Sequence, residues 1–418
     1  MRREAYKTIL QAAAGFILGT ALAVNLGSTE RDDLATRART LHFSSLVVDT
    51  HVDTTQRLLD PRFNLAVRDA RGSVDIPRLR EGGVGAIFFA AWVPSKVTGP
   101  AAVQRATQQI AAVRSQIDKH PKDLMLATTA EEVRAARQAG KIAILLGIEG
   151  GQMINNDLQA LRKFADLGVR YMTLTHSGNV EWADSSGAVA KHNGLTPFGK
   201  EVVREMNRLG MMVDVSHVSD KTFQDVLAVS TTPVIASHSS CRALCDAPRN
   251  MTDAMIKAMA ARGGVIQINF HVAFLSQKFR DAERRNPRIN KAIELEVANI
   301  CHGHGDEACE LLEGDRLTRE YVQKGELPRV DWGEIIDHID HAVKLVGVEH
   351  VGLGSDFDGA NMPYGMEDAA QLPKITEALL RRGYSEGDVR KILGENTLRL
   401  MSDVARVSSA AHPATQQH

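Results

Sequence analysis

The chain has 418 residues, of which 44% are hydrophobic and 24% are charged. These proportions are typical of a globular protein with a large buried core, and they exclude disorder over most of the chain. The 50 lysines and arginines balance 51 aspartates and glutamates, so no basic field attracts a polyanion, and we expect no nucleic-acid partner.

The first 28 residues have the layout of a secretory signal peptide. Arg2 and Arg3 precede an apolar stretch, and residues 21–23, Ala-Leu-Ala, provide a small-residue cleavage site. The apolar run over residues 9–26 also approaches the length that spans a bilayer, so an uncleaved N-terminal anchor is the alternative. Both interpretations predict an exported protein, periplasmic or secreted, whose membrane association depends on this segment only.

Eight short β-branched or aliphatic runs follow, each separated from the next by a polar break and a stretch with helical spacing. The runs are residues 46–49, 85–90, 142–146, 169–173, 212–215, 234–237, 265–269 and 351–354. Strands that are apolar throughout and alternate with helices favour a parallel sheet covered on its outer face. Eight such units predict an α/β fold, a (β/α)8 TIM-type barrel, over residues 40–403.

One helix of this pattern is especially well marked. In residues 196–209, Thr196 can cap, Pro197 suits the first helical position, and Val202 and Met206 fall on one face. Gly210 follows and is expected to end the helix.

Two further segments depart from the repeating unit. Residues from about 270 to 330 are charged and longer than one helical unit, which predicts an insertion before the last strand. Residues 404–418 are small and polar and are predicted to be a disordered tail. Export permits disulfides, and Cys301 with Cys309, close together in a polar segment, is the preferred pair.

Polar side chains follow six of the eight predicted strands. They are His51 and Asp53 after the first, Glu149 after the third, His176 after the fourth, His217 after the fifth, His238 after the sixth and Asp356 after the eighth. In a doubly wound open sheet, which is the alternative architecture, these residues would be spread along an edge. In a barrel all of them meet at one mouth.

Five of these side chains form a candidate metal site: His51, Asp53, Glu149, His217 and His238. Nitrogen and oxygen ligands without thiolate suit zinc, with manganese or cobalt as substitutes. Five ligands exceed what one catalytic zinc takes, so we expect two ions that share a carboxylate. Glu149 is the natural bridge, and Gly147, Gly150 and Gly151 around it are expected to leave room for backbone near the metals.

Each ligand also has an ordinary explanation when it is considered alone. A histidine after a strand often only bonds to a backbone carbonyl, and Glu149 could pair with an arginine. Burying five such groups together without a metal would leave several kcal/mol uncompensated, by a rough estimate. The joint pattern therefore favours a metal centre.

Six stretches, in this order, are VVDTHVDT, LLGIEGGQ, YMTLTHSGNVEWADS, MMVDVSHVSDKTF, PVIASHSSCRALCDAPRNMTD and VGLGSDFDG. With them the chain resembles the membrane dipeptidase (renal dipeptidase) family of binuclear zinc peptidases, in the amidohydrolase-like barrel group. The resemblance spans residues 47–359. It implies two Zn²⁺ per chain, one bound by His51 and Asp53 and the other by His217 and His238, with Glu149 and a water or hydroxide bridging both.

The resemblance also implies roles for residues outside the metal site. His176 in LTHSGN would face the substrate and stabilise the oxyanion, Arg249 in APRN would bind the substrate carboxylate, and Asp356 in GSDFDG would shuttle protons. Asp358 competes for that last role, because the residues alone do not separate the two aspartates. The implied activity is hydrolysis of dipeptides, including those with a D-residue at the C-terminal side, and we expect a homo-oligomer.

Two other functions stay open at this point. Another binuclear amidohydrolase, acting on a cyclic amide, lactone or ester, would often bridge its metals with a carbamylated lysine at a strand end. Here Glu149 stands at the end of the third strand, and Lys141 stands before it. A non-catalytic exported scaffold would keep the metals for stability alone.

Overall fold

The computed structural model describes residues 33–302 and 306–411. Within them, nine strands form one parallel sheet. The strands are β1 Val47–Val52, β2 Val84–Trp92, β3 Leu124–Leu126, β4 Ile142–Glu149, β5 Val169–Thr173, β6 Met212–Asp214, β7 Ile235–Ser239, β8 Val265–Ile268 and β9 Val351–Leu353. Eight of them follow the order β1-β2-β4-β5-β6-β7-β8-β9, and the short β3 pairs with β4 outside this path.

Helices connect the strands and cover the sheet. They are α1 (residues 33–44), α2 Ile76–Glu81, α3 Gly99–Lys119, α4 Ala130–Gln138, α5 Leu158–Asp166, α6 Pro197–Arg208, α7 Asp220–Val229, α8 Asp253–Ala260, α9 Val272–Leu275, α10 Gln277–Arg285, α11 Pro287–Ile300, α12 Glu307–Gln323, α13 Gly333–Val346, α14 Pro373–Arg381, α15 Glu386–Arg390 and α16 Asn396–Ala411. Short 3₁₀ turns at Thr54–Leu59 and Gly151–Ile154 follow β1 and β4.

The predicted (β/α)8 barrel is confirmed, and each of the eight predicted runs overlaps one barrel strand. The barrel closes beyond the ends of β1 and β9, where Val52 forms a parallel bridge with Phe357. The backbone N–H of Asp53 donates to the carbonyl of Phe357 (2.9 Å), and that of Asp356 donates to the carbonyl of His51 (3.0 Å). Closure of the barrel therefore joins the segment of His51 and Asp53 to the segment of Asp356, and all three are candidate site residues.

Strand β3 was not predicted from the sequence. It has three residues and pairs only with the first half of β4, from Leu124 opposite Ile142 to Leu126 opposite Ile144. The run lacks β-branched residues, so neither its length nor its composition marks it as a strand.

Alternate strand residues pack into two different apolar clusters, as the two-residue period of a strand requires. Val48, Phe88 and Leu145 belong to the cluster inside the barrel, whereas Ile87 and Ile144 belong to the cluster between the sheet and the helices. Both faces of the strands are buried, which explains why the runs are apolar throughout.

The helix predicted from Thr196 is also confirmed. Pro197 opens α6, and the hydroxyl of Thr196 accepts a hydrogen bond from the backbone N–H of Gly199 (3.3 Å). Gly210 follows with a φ of 65°, a conformation that glycine adopts without strain.

The long segment between β8 and β9 contains α9 to α13. Part of it packs in a cluster of its own, which includes Val272, Phe279 and Leu327. Cys301 and Cys309 form the predicted disulfide, whereas Cys241 and Cys245 are buried and free.

Two predictions concern the chain ends. Residues 404–418 were expected to be disordered, but helix α16 continues through Ala411, and Val404 is buried against α4 and the barrel interior. Helix α16 extends into this segment because the apolar side chain of Val404 packs with the cluster inside the barrel. Residues 412–418 and the predicted signal segment, residues 1–28, lie outside the described residues. Among the described residues, no helix combines the length and apolarity that crossing a bilayer requires.

His338 of α13 is a buried histidine that connects the segment after β7 with helix α9. Its Nδ1 accepts the backbone N–H of Cys241 (3.0 Å), and its Nε2 donates to the carbonyl of Leu275 (3.0 Å). Burial lowers the pKa of His338 to about 4. Because both nitrogens are used by the neutral ring, protonation would break one of these bonds.

We expect the free energy of unfolding to fall as the pH drops from about 6.5 through about 4. The folded-state pKa lies below the unfolded value, so the unfolded chain binds the proton first and stability is lost on acidification, by at most about 3 kcal/mol from this residue. Denaturant unfolding across this range should show a weaker pH dependence for His338→Gln than for the natural protein. Equal pH dependence in the two proteins would contradict this assignment.

Candidate active site

The five predicted metal ligands lie together at the mouth of the barrel. His51 and Asp53 come from the end of β1, Glu149 is the last residue of β4, His217 follows β6, and His238 lies in β7. Both His217 Nε2 and His238 Nε2 approach Oε1 of Glu149, at 2.8 and 3.2 Å. His51 Nε2 lies 3.6 Å from the other oxygen, Oε2, and 3.4 Å from Asp53 Oδ1.

The two oxygens of Glu149 thus face two different groups of side chains. His217 and His238 are on the Oε1 side, and His51 with Asp53 is on the Oε2 side. The Glu149 side chain is 2% exposed, so its charge must be balanced by the groups around it rather than by water. Each oxygen of this carboxylate therefore faces its own set of predicted ligands.

The hydrogen bonding of these side chains also fits a divalent metal. His51 Nε2, Asp53 Oδ1 and Glu149 Oε2 are buried and have no hydrogen-bond partner. His217 Nε2 and His238 Nε2 lie 3.0 Å apart, so at most one of them can carry a hydrogen. Several lone pairs therefore converge with too few hydrogens, and the nitrogen and oxygen donors are those that zinc takes.

The surroundings of His217 and His238 keep their imidazoles neutral, which is the form that binds metal. Burial, together with the nearby charge of Arg249, holds the pKa of His217 well below its usual range, and burial with the charge of His51 does the same for His238. Burial, with the charge of Glu149, raises the pKa of Asp53 to about 8. A bound cation would favour the ionised form of this carboxylate instead.

The structure separates the two aspartates that the sequence left in competition. Asp358 accepts hydrogen bonds from Thr54 Oγ1 (2.7 Å), Ser73 N (2.7 Å) and Arg57 Nη1 (3.3 Å), so both of its oxygens bind the surrounding loops. These hydrogen bonds tie the two loops together. Asp356, in contrast, places Oδ1 3.9 Å from His51 Nε2, inside the ligand group.

Asn269 was missed by the sequence reasoning. Its Nδ2 donates to Asp356 Oδ2 at 2.8 Å, and its Oδ1 accepts the backbone N–H of His271. The amide is fully buried and holds one oxygen of Asp356 while leaving the other, Oδ1, directed at the metal ligands. An asparagine as the last residue of the seventh predicted run carries no motif of its own, so this role appears only in three dimensions.

Backbone strain is concentrated at the same place. His217, Asp356 and Asp358 have φ values of 64°, 65° and 64°, in the left-handed region that side-chain-bearing residues rarely adopt. Each costs on the order of 1 kcal/mol or more and persists only when its surroundings hold it. Such strain is typical of residues whose direction matters for function.

Tyr171 is another residue that the sequence reasoning did not assign. Its hydroxyl lies 2.9 Å from His51 Nδ1, and its ring is opposite Gly147 in the pairing of β4 with β5. A Cβ at position 147 would overlap with this ring, and one at Gly151 would overlap with the indole of Trp182. The expectation that these glycines make room for backbone is therefore wrong for Gly147, which makes room for an aromatic ring. At Gly151 the space is shared by the indole of Trp182 and the backbone carbonyl of Leu174.

His176 lies at the edge of the metal ligands. Its Nε2 is 3.9 Å from Glu149 Oε1, and its ring packs edge-on against Trp92 and His217, with ring centroids 5.4 and 4.8 Å apart. The side chain is 19% exposed, so it borders both the ligands and the open mouth. This is a suitable position for contact with a bound substrate.

Arg249 supplies a partly buried positive charge beside the same mouth. Its guanidinium donates to Ser239 Oγ (3.2 Å) and to the carbonyl of His238 (2.9 Å), which are neutral groups, and its Nε is buried without a partner. One face of the guanidinium lies over the ring of Phe274, 5.3 Å from the centroid. Burial lowers the pKa of Arg249, and an anion bound here would offset the cost of burying the charge.

Comparison with known proteins gives consistent matches. The family model for membrane dipeptidase (peptidase family M19) matches residues 35–415. Dipeptidase 3 of Macaca fascicularis is 33% identical over 393 residues, which cover 91% of this chain and 70% of that protein.

Two solved structures share the architecture. The probable dipeptidase PvdM from Pseudomonas aeruginosa has 28% identity and a TM-score of 0.73, covering 90% of this chain and 99% of that one. A metallopeptidase from Rhodobacter sphaeroides, liganded with a phosphinate mimic of the dipeptide L-Ala-D-Ala, has 26% identity and a TM-score of 0.71, covering 86% and 100% of the two chains.

The contact between Gly147 and Tyr171 gives a test. Gly147→Ala should displace the tyrosine ring and lower the free energy of unfolding by about 1–3 kcal/mol, as overpacking in a core does. It should also weaken metal binding, because His51 loses the hydroxyl at Nδ1. Gly314→Ala in α12 is the matched control, since a Cβ there meets nothing, and it should be neutral or stabilising by about 0.5–1 kcal/mol. Equal effects on thermal unfolding and metal affinity would contradict the assignment.

Proposed function

The chain belongs to the membrane dipeptidase family, peptidase family M19, and on that premise we propose that it uses two zinc ions to hydrolyse dipeptides, including those with a D-residue at the C-terminal side. Membership makes the protein a metallo-dipeptidase, a hydrolase acting on peptide bonds, as the resemblance of its motifs indicated. The number and identity of the metal ions and the choice of dipeptide are the proposal. The observation that carries it is the position of Glu149 between two groups of ligands.

His51 and Asp53 would hold one ion, His217 and His238 the other, and Glu149 both. Two zinc ions at such a site lower the pKa of a water molecule towards neutrality and polarise a substrate carbonyl. The protein contributes the rigid placement of the ligands on strand ends and the exclusion of bulk water from Glu149.

Asp356 would move the proton. Oδ2 is held by Asn269, so Oδ1 is the oxygen that can accept a proton from the attacking water and return it to the departing amine. A carboxylate within hydrogen-bonding reach of both atoms is what general acid–base catalysis requires. Both protons of the water are then accounted for, since one reaches the amine and the other stays on the new carboxyl group.

His176 would donate a hydrogen bond to the carbonyl oxygen of the substrate as negative charge develops there. Its position at the rim of the ligand group supports this role, because the ring is fixed by Trp92 and His217 while one edge remains accessible. Loss of one donor of this kind typically costs roughly 100-fold or more in rate.

Arg249 would bind the free carboxylate of the dipeptide. The guanidinium is partly buried and donates to neutral oxygens, so a substrate carboxylate would complete a charge-assisted pair. A carboxylate bound beside the predicted metal ligands would limit the substrate to one residue beyond the scissile bond. The Rhodobacter relative, which is liganded with a mimic of L-Ala-D-Ala, supports a D-residue at that position.

The cellular location and the oligomeric state of the protein are part of the same proposal. The family name and the layout of residues 1–28 support export, with that segment as a signal peptide or an anchor, and we propose a homo-oligomer. N-terminal sequencing of the exported protein and light scattering of the purified protein test these two points. An intact N-terminus in the cytoplasm, or a monomer, would contradict them.

The alternative of a metal bridge made by a carbamylated lysine has no support in the structure. Lys141 directly precedes β4, at the end of the strand opposite Glu149 and the mouth. Glu149 occupies the place that such a lysine would need.

A dipeptide panel tests the proposed function. The zinc-loaded protein should cleave L,L- and L,D-dipeptides, lose activity with a chelator and regain it with two zinc equivalents per chain. Asp356→Asn should keep its metal and lose activity by about 100-fold or more. In the control, Asp358→Asn, the free energy of unfolding should fall by about 1–3 kcal/mol while the folded protein remains active. No chelator-sensitive cleavage of any dipeptide would overturn the proposal.

The role of Arg249 predicts a preference for free carboxylates. The natural protein should discriminate strongly between a dipeptide and its C-terminal amide, and Arg249→Gln should lose most of this discrimination. Removal of one partner of a buried charge pair typically costs about 2 kcal/mol or more, or roughly 30-fold in kcat/KM for the free acid. Arg114→Gln, on the exposed face of α3, should behave as the natural protein. Unchanged discrimination in Arg249→Gln would exclude this role.

A further inference from the structure

His238 is connected to a buried carboxylate through one hydroxyl. Its Nδ1 lies 2.8 Å from Ser237 Oγ, and Ser237 Oγ lies 2.6 Å from Asp214 Oδ2. Asp214 and Ser237 are fully buried, and His238 is 1% exposed. These three side chains are shielded from bulk water, so their hydrogen bonds must be satisfied within the protein.

The surroundings of Asp214 decide the direction of these hydrogen bonds. Its Oδ1 accepts the backbone N–H groups of Ser216 (3.0 Å) and Ser237 (2.9 Å), and its Oδ2 accepts the hydroxyl of Thr173 (2.5 Å) as well as that of Ser237. A carboxylate only accepts hydrogen bonds. The hydrogen of Ser237 therefore points to Asp214, and the lone pair of Ser237 Oγ is left to accept the N–H of His238 Nδ1.

We propose that Asp214 and Ser237 are positioning residues that hold His238 as the Nδ1–H tautomer, so that its Nε2 presents a lone pair to a metal ion. This Nε2 is the atom that lies 3.2 Å from Glu149 Oε1 and 3.0 Å from His217 Nε2. The inference rests on the proposed function for the identity of the metal but not for the direction of the hydrogen bonds. A histidine ligand whose second nitrogen donates to a hydrogen-bonded acceptor is oriented and made more basic.

His51, on the other side of Glu149, has a different partner at Nδ1. His51 Nδ1 meets the hydroxyl of Tyr171 (2.9 Å), and a tyrosine hydroxyl can donate or accept. This hydrogen bond therefore does not select a tautomer of His51. Loss of the Asp214–Ser237 relay should weaken the ion held by His217 and His238 while leaving the ion held by His51 and Asp53 largely unaffected.

Asp214→Asn is the direct test because it keeps the size of the side chain and inverts one hydrogen bond. Two backbone N–H groups require the amide oxygen at the Oδ1 position, so the amide nitrogen must replace Oδ2 and donate to Ser237. The hydroxyl of Ser237 then turns its hydrogen to His238 Nδ1, and the ring carries its hydrogen on Nε2. A carboxylate-to-amide change beside a histidine produces a wrong tautomer in this way in serine proteases.

The first measurement is nitrogen-15 NMR of the histidine side chains in the metal-free protein. The natural protein should show His238 protonated at Nδ1, assigned by its loss in His238→Gln, and Asp214→Asn should show it protonated at Nε2. Ser237→Ala serves if Asp214→Asn does not fold, and it should lose the preference for Nδ1. An unchanged His238 tautomer in the folded variants would overturn the proposal.

The second measurement is zinc affinity by competition with a chelator. One of the two zinc equivalents should bind about 10- to 100-fold more weakly in Asp214→Asn and Ser237→Ala, and Ser237→Thr, which keeps the hydroxyl, should recover tight binding. Ser240→Ala is the matched control, because this buried hydroxyl donates to the carbonyl of Asn269 (3.1 Å) and does not touch the ring. Equal weakening of both ions, or the same loss in Ser240→Ala, would show a merely structural role.

The outcome is separable from that of the proposed function. If the natural protein binds zinc and shows the Nδ1–H tautomer but cleaves no dipeptide, the proposed substrate fails and the relay stands. If it cleaves dipeptides while the tautomer and the zinc affinity do not respond to Asp214→Asn, the relay fails and the function stands.

Discussion

The arrangement of the mouth depends on a single buried carboxylate. Glu149 is held at the end of a strand that is buried along its whole length, and four imidazoles approach its oxygens within 4 Å. In an environment of low polarity, a charge of this kind must be matched by opposite charge or by hydrogen bonds. Burial holds the pKa values of His217 and His238 well below their usual range, so these two rings are neutral and bring no positive charge. Metal cations that these nitrogens and oxygens can bind would supply the match.

The barrel supplies the precision that such a site needs. Closure through Val52 and Phe357 fixes the segment of Asp356 against that of Asp53 by backbone hydrogen bonds. Gly359 completes this contact, because a Cβ there would overlap with the carboxylate of Asp53. Gly147 gives the space for the ring that supports His51. Rigid strand ends therefore carry the ligands, while loops carry the groups that would meet the substrate.

The segment inserted between β8 and β9 also contacts residues at the mouth of the barrel. Arg105 of α3 donates to Glu307 of α12 (2.9 Å) and to Gln56 (3.4 Å), three residues beyond Asp53. Helix α9 brings Phe274 over the guanidinium of Arg249, and the carbonyl of Phe274 accepts Asn250 Nδ2 (2.8 Å). The insertion is thus tied to the same loops that carry the proposed substrate contacts, so that variation in this segment would change the pocket without changing the metal ligands.

The sequence by itself determined the architecture and the types of residue at the strand ends. Eight apolar runs predicted the barrel, because a strand that is buried on both faces has apolar residues at successive positions. Thr196 with Pro197 predicted a helix start, because capping depends only on residues close together in the sequence. The candidate ligands could be named for the same reason, as polar residues directly after buried strands. The family motifs then separated roles that the residues alone left open, such as that of Arg249.

Only the tertiary structure decided which polar groups bind each other. Asp356 and Asp358 are two residues apart and alike in type, and they differ because one faces His51 while the other binds loops far away in the chain. Tyr171 of β5 reaches His51 of β1, although the two strands are not neighbours in the sheet. Ser237 joins Asp214 to His238 through the pairing of β6 with β7, which residue type does not encode. The helical end of α16 depends likewise on contacts of Val404 with distant residues. Periodicity and propensity report burial and local geometry, whereas hydrogen-bond partners are fixed only when the barrel brings distant residues to one place.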